Sequence, residues 1–155
     1  MKVLIFYHPD ADGITAAAIV RHALQQRYGD VRFEYIRHGY LGEDRRLQEL
    51  RPDGHTQIWA VDISFRPETT RRLQCAFGPD FVWIDHHISA LEAWRDTGWE
   101  DPVGFRDTAH SAAWLSWHHL FAAPAPLAVT WVDKYDLWQQ DAEWKTRTCP
   151  WQLIV

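Results

Sequence analysis

The chain has 155 residues, a formal net charge of -5 and 46% hydrophobic residues. That length supports one buried core and is short for two domains. The negative balance excludes a protein that coats nucleic acid through general electrostatics, which needs clustered Lys and Arg, and Cys75 and Cys149 lack the spacing of a metal, redox or disulfide framework.

Val3 to Tyr7 is a short apolar run of strand type, with no basic flank or cleavage-site pattern around it. No stretch reaches membrane-spanning length, so a cytoplasmic protein with no membrane contact is expected. Ala16, Ile19, Val20, Ala23 and Leu24 then recur at helical spacing. Val31, Phe33 and Tyr35 alternate with polar residues as a second strand. Glu43 to Leu50 has the composition of a short helix ended by Pro52-Asp53-Gly54. Ile58 to Ile63 is a third strand, Pro67 opens a helix that runs to Phe77 before Gly78-Pro79, and Phe81 to Ile84 is a fourth strand.

Strands alternating with helices predict the doubly wound α/β class, a mainly parallel sheet with helices on both faces. Beyond Ser89 the pattern is mainly helical, over Leu91 to Arg95, His110 to Phe121 and Pro126 to about Trp138, with Val103 to Arg106 as a candidate edge strand. One domain over 1–140 is expected, followed by an extension over 141–155. Its apolar end, Leu153-Ile154-Val155, is expected to pack as a strand, to meet a partner or to lead into a further domain.

The unusual residues fall where strands end. His8, Asp10 and Asp12 follow the first strand, Asp62 closes the third, and Asp85, His86 and His87 follow the fourth. Ligands of open parallel sheets bind at the carboxyl ends of the strands, so three segments converge on one edge. Carboxylates and imidazoles crowded together repel one another unless a cation sits among them. Asp and His ligands without Cys suit Mn²⁺, Mg²⁺, Fe²⁺ or Zn²⁺, and the carboxylate-rich balance leans to Mn²⁺ or Mg²⁺. The alternation His-x-Asp-x-Asp lets one loop serve two neighbouring ions, Asp62 can bridge them, and Gly13 is read as the residue that lets the backbone turn tightly into the helix. A pair of ions suits hydrolysis of a phosphate ester or anhydride by an activated water.

These residues resemble a known family. His8-Pro9-Asp10-Ala11-Asp12-Gly13, the Asp62 of Ala60-Val61-Asp62-Ile63-Ser64, and Asp85-His86-His87 look like the first three motifs of the DHH phosphoesterase superfamily, and Val132-Asp133-Lys134-Tyr135-Asp136-Leu137-Trp138 resembles the fourth as oligoribonuclease-like members carry it. The superfamily includes RecJ exonucleases, nano-RNases, cyclic-dinucleotide phosphodiesterases and family II pyrophosphatases. The resemblance implies that His8 and Asp10 bind one metal, that Asp12 and His86 bind the other, and that Asp62 bridges them. It implies that Asp85 orients a histidine and that His87 faces the scissile phosphate. Asp136 is the preferred fourth-motif ligand, with Asp133 as the alternative. The substrate implied is a short single-stranded oligonucleotide or a signalling dinucleotide, with pyrophosphate or a non-catalytic binding role as alternatives. Family members usually carry a second, substrate-binding domain, and no motif of one is visible, so a homodimer or a partner supplying it is expected.

Each signal has a plainer reading. Asp62 alone would be weak, because Asp often ends a strand; the two stronger motifs around it raise it. His118-His119 lies inside a helical run and is read as structural. Asp107-Thr108-Ala109-His110-Ser111 is read first as a helix cap, with His110 or Ser111 touching substrate phosphate as the alternative. Arg106 could clamp a phosphate, though a lone Arg on an edge strand is usually surface charge. The ten tryptophans are read as core and surface aromatics or as an interface.

Overall fold

A computed structural model of the chain describes residues 1–39 and 45–152. Four strands, β1 (Lys2–Tyr7), β2 (Arg32–Arg37), β3 (Thr56–Val61) and β4 (Phe81–Ile84), form one sheet in the order β2-β1-β3-β4, with every pair parallel. The α/β class read from the sequence is the class observed. β4 and residues Val3 to Phe6 of β1 are apolar and buried because both faces are covered, as parallel sheets require.

Alternation along the strands divides the core. Val3, Ile5, Trp59, Val61, Val82 and Ile84 pack on one side with α1 (Ala11–Tyr28), α5 (Ala112–Leu120) and α6 (Leu127–Asp136). Leu4, Phe6, Ile58, Ala60, Phe81 and Trp83 pack on the other with α2 (Arg45–Glu49), α3 (Pro67–Phe77) and α4 (Ile88–Asp96). Ala16 and Ala17 on α1 and Ala112 and Ala113 on α5 are all buried; small side chains there let the two helices lie close.

The chain leaves β1 toward β2 on one side and returns to β3 on the other. The carboxyl ends of β1 and β3 therefore flank the point where strand order reverses, where open α/β sheets place their ligands.

Several boundaries differ from expectation. The helix expected over Glu43 to Leu50 is seen as Arg45–Glu49, and Glu43 and Asp44 lie outside the described residues. Val103 to Arg106 is not a strand: it meets the outer edge of β4 through two isolated bridges, Val82 to Val103 and Asp85 to Arg106. Gly104 lies between them at φ 136°, where a Cβ would come within 1.9 Å of the Trp83 carbonyl oxygen, so the segment crosses too close to β4 to continue as a regular strand. α5 begins after Ser111 rather than at His110, because the Ser111 hydroxyl accepts from Trp114 N and caps it.

The segment after Asp141, featureless in the sequence, contains a π-helical turn over Trp144–Thr148 and a short helix, α7 (Cys149–Gln152), both packed on α6. Trp144 is buried and Trp131 meets Trp151 with ring centroids 5.6 Å apart, so aromatic burial rather than helical periodicity orders this region. The expectation for Leu153-Ile154-Val155 lies outside the described residues. Among the described residues no helix is long and apolar enough to cross a membrane.

Candidate metal centre

The loop after β1 builds the first part of the site. Asp10 is the N-cap of α1: one carboxylate oxygen accepts from Gly13 N at 2.9 Å, and the other lies 2.6 Å from His8 Nδ1. Gly13 is required for space rather than for an unusual torsion, because a Cβ there would stand 2.2 Å from the His8 carbonyl oxygen. The loop thus turns tightly into the helix at Gly13, against its own His8 backbone, as read from the sequence.

Asp12 is 2% exposed in the first turn of α1. Its carboxylate accepts from Ala112 N at 2.7 Å and Ala113 N at 2.8 Å, so it caps α5 from across the core. Asp62 follows β3 at φ 55°, a left-handed conformation that costs about 1–2 kcal/mol for most L-residues and least for Asp or Asn. Its amide donates to Ile84 O at 3.0 Å, which holds this twist against β4. Strain fixed by neighbouring hydrogen bonds is a mark of functional sites.

His86 is the hub. Its Nε2 lies 3.2 Å from Asp62 Oδ1, 3.5 Å from Asp136 Oδ2 and 3.7 Å from Asp12 Oδ2. Donor atoms of His8, Asp10 and Asp62 gather within metal-ligand reach of one another, as do those of Asp12, His86 and Asp136, and those of Asp62, His86 and His87. Asp62 and His86 each belong to two of these sets.

The electrostatics show why the cluster suits a cation. Burial, then the charges of Asp12, Asp10, Asp85 and Asp136, pushes the Asp62 carboxyl up to about 11. Burial and the charge of Asp136 push Asp12 up to about 7, and burial raises Asp136 too. Burial pulls His86 down despite the acids around it. Asp10 alone goes the other way: burial works against its charge, but the Gly13 amide and His8 outweigh it and lower the pKa. Carboxylates that cannot all ionise together until a cation joins them are a fitting donor set for divalent metal.

Asp85 is fully buried outside this donor group. It accepts from His86 N at 2.9 Å, lies 2.7 Å from His87 Nδ1 and receives the Ser64 hydroxyl. Burial pulls His87 down, but the hydrogen bond to Asp85 and its charge outweigh this and leave the imidazole above its ordinary value.

Asp133 is not brought to the cluster. Its oxygens lie 2.6 Å from Ser111 N and 3.0 Å from His110 Nδ1, which ties the end of α6 to the start of α5. Of the two fourth-motif acids, only Asp136 faces His86. Ser111 is fully buried, and the amides of residues 111 to 114 are all taken by Asp133, Asp12 and the Ser111 hydroxyl. No backbone amide of residues 111 to 114 is therefore left for a substrate phosphate, and the partly exposed His110 ring stacks on Trp114 at 3.6 Å. Arg106 is not a surface charge but is largely buried against the fold. Its guanidinium donates to Trp83 O and Pro102 O, both at 2.8 Å, and lies over the Trp83 ring.

Sequence reading missed Ser64, whose role depends on a long-range partner, and the α5 amides on Asp12, which no side-chain pattern signals.

The family profile described as "DHH family, N-terminal domain" matches residues 2–121, a stretch that ends before Asp136. The chain is 26% identical over 89 residues to the single-stranded-DNA-specific exonuclease RecJ of Bacillus subtilis (strain 168), covering 56% of this chain and 11% of that protein. An uncharacterized protein from Helicobacter pylori G27 has a crystal structure matching with a TM-score of 0.63 and 20% identity, over 90% of this chain and 44% of that one. The crystal structure of an exonuclease RecJ bound to manganese matches with a TM-score of 0.54 and 20% identity, over 83% of this chain and 36% of that one. The two structures share the fold, and the chain spans less than half the length of each of these proteins.

Proposed function

The chain belongs to the DHH family, through that family's N-terminal domain, and on that premise we propose that it is a metal-dependent phosphodiesterase acting on short single-stranded oligonucleotides or a signalling dinucleotide. The observation that carries the reading is the pair of donor sets, His8–Asp10–Asp62 and Asp12–His86–Asp136, lying side by side around Asp62 and His86. Two divalent cations would be held there, one by each set, with Asp62 between them. Manganese is the preferred ion, given the carboxylate-rich donors and the manganese in the RecJ structure of the same fold. When bound, the cations supply positive charge for phosphate oxygens and lower the pKa of water.

The protein's own groups do the rest. Asp85 holds the His87 ring through Nδ1 and so orients the imidazole that would give a proton to the leaving oxygen. The raised pKa of His87 favours the ring in its protonated form. Asp62, fixed in its left-handed turn by Ile84 O, belongs to the first donor set and lies 3.2 Å from His86 of the second. A second copy or a partner chain would contribute further substrate surface, in a reducing, cytoplasmic setting.

The test is turnover by the purified chain in Mn²⁺ or Mg²⁺, offered di- to pentanucleotides, cyclic dinucleotides and pyrophosphate, beside Asp62→Asn. Hydrolysis of a nucleotide diester that Asp62→Asn loses supports the reading. Turnover of pyrophosphate alone makes the chain a pyrophosphatase, and no turnover of anything leaves a binding role.

A further inference from the structure

Three aromatic rings stack at the C-terminal end of α6, the helix that carries Asp136. Tyr135 lies near-parallel to Trp144, 8° between planes and 5.5 Å between centroids, and Trp138 lies against both at 6.2 and 5.7 Å. The stack is graded from core to solvent: Trp144 is buried, Tyr135 is 37% exposed and Trp138 is 68% exposed. Aromatic side chains are normally placed to cover their faces, so an open tryptophan face at the end of a built stack is an unfinished contact.

The backbone holds that ring out at a cost. α6 ends with Trp138 N donating to Tyr135 O and Gln139 N donating to Lys134 O, a motif whose left-handed position usually belongs to glycine. Trp138 occupies it at φ 52°. Asp62 and Trp138 are the two non-glycine residues with positive φ among the described residues, and the first sits in the metal centre. Trp138 follows Asp136 by two residues, so its Cα lies within about 7 Å of that ligand's Cα.

The surroundings match. Ile14 and Ile88, each within two residues of Asp12 or His87 in the chain, are exposed as well. A centre rich in carboxylates gives a polyanion little reason to bind outside the metal ions, and flat apolar faces provide what charge cannot. Stacking also tolerates any base.

We propose that the Tyr135–Trp138–Trp144 stack is a nucleobase platform, on which one base of a nucleotide substrate lies over Trp138 while its phosphate reaches the centre at Asp136. This deepens the phosphodiesterase reading and rests on it. Pyrophosphate, which has no base, would gain nothing from the platform.

The experiment compares wild type, Trp138→Gly and Trp138→Phe. Glycine removes the ring and suits the left-handed position; phenylalanine keeps a ring. The first readout is the kcat/KM ratio between a 5′-phosphorylated dinucleotide and its counterpart with base-free ribose. That ratio should fall roughly ten- to a hundredfold in Trp138→Gly, the usual scale for one stacked base, and return most of the way in Trp138→Phe. The second readout needs no diester cleavage: fluorescence of 2-aminopurine riboside 5′-monophosphate in Mg²⁺, quenched on wild type and Trp138→Phe and unquenched on Trp138→Gly. An unchanged ratio and unchanged quenching in Trp138→Gly overturn the proposal. So does a Trp138-dependent self-association, seen by sedimentation, with no change in nucleotide binding, because the ring would then be a protein interface. If wild type cleaves no diester but Trp138 still governs the quenching, the phosphodiesterase reading falls and the platform stands.

Discussion

Asp12 accepts the backbone amide of Ala112 at 2.7 Å across a hundred residues of sequence, and this bond joins the metal centre to the packing of α1 on α5. Asp12 therefore carries two duties. Asp12→Ala leaves the amides of Ala112 and Ala113 buried without partners, at about 1–3 kcal/mol each. The expected outcome is a loss of about 3 kcal/mol in metal-free denaturant unfolding, together with weakened metal binding. A variant as stable as wild type in EDTA would remove Asp12 from the fold's support.

Asp62→Asn should do the reverse to the metal-free protein. Asn tolerates the left-handed turn and adds no charge to a buried cluster. The sign follows from the pKa values. Asp62 rises to about 11 in the folded chain, and its unfolded value is near 3.8. Between these the native state binds the extra proton, so wild-type stability falls as pH rises above about 4. Asp12, raised to about 7, acts in the same direction up to that pH. In EDTA the Tm gap between Asp62→Asn and wild type should widen in favour of the variant from pH 5 to pH 8. Excess Mn²⁺ should stabilise wild type strongly and Asp62→Asn weakly. A gap that is flat or narrows with pH would mean that the acids are not held in conflict.

The legible part of this protein was the part governed by local pattern. Apolar runs over Val3 to Tyr7 and Phe81 to Ile84 announce buried parallel strands, and the acids and imidazoles after them can only meet at one sheet edge. Asp133 and Asp136 could not be separated from spacing, because their difference lies in tertiary partners: Ser111 N and His110 for one, His86 for the other. Arg106 misled for the same reason, since its carbonyl partners on Trp83 and Pro102 leave no trace in its own neighbourhood of sequence. The left-handed backbone at Asp62 and Trp138 was invisible because neither is glycine.

Gly13→Ala tests whether the site depends on close backbone approach. One methyl would meet the His8 carbonyl oxygen at 2.2 Å, and that oxygen belongs to backbone that cannot swing away. Overpacking of this kind costs about 1–3 kcal/mol, and the shift of His8 and Asp10 should lower metal affinity at least tenfold by isothermal titration. Wild-type affinity in Gly13→Ala would show that the loop has room to adjust.

Asp85→Asn probes the proton donor without touching the donor sets. The hydrogen bond to Asp85 and its charge are what lift His87 above its ordinary pKa against the pull of burial. With a neutral amide in that place, the imidazole loses its proton at lower pH. If His87 protonates the leaving oxygen, activity requires the charged ring, so the alkaline limb of the kcat profile in Asp85→Asn should move to lower pH. His87→Gln, which has no titrating group, should lose that limb and fall by about 10²–10⁴ in kcat with metal affinity largely kept. Were the Asp85→Asn limb to stay in place while kcat dropped uniformly, Asp85 would be holding the loop through Ser64 and the His86 amide rather than setting the charge on His87.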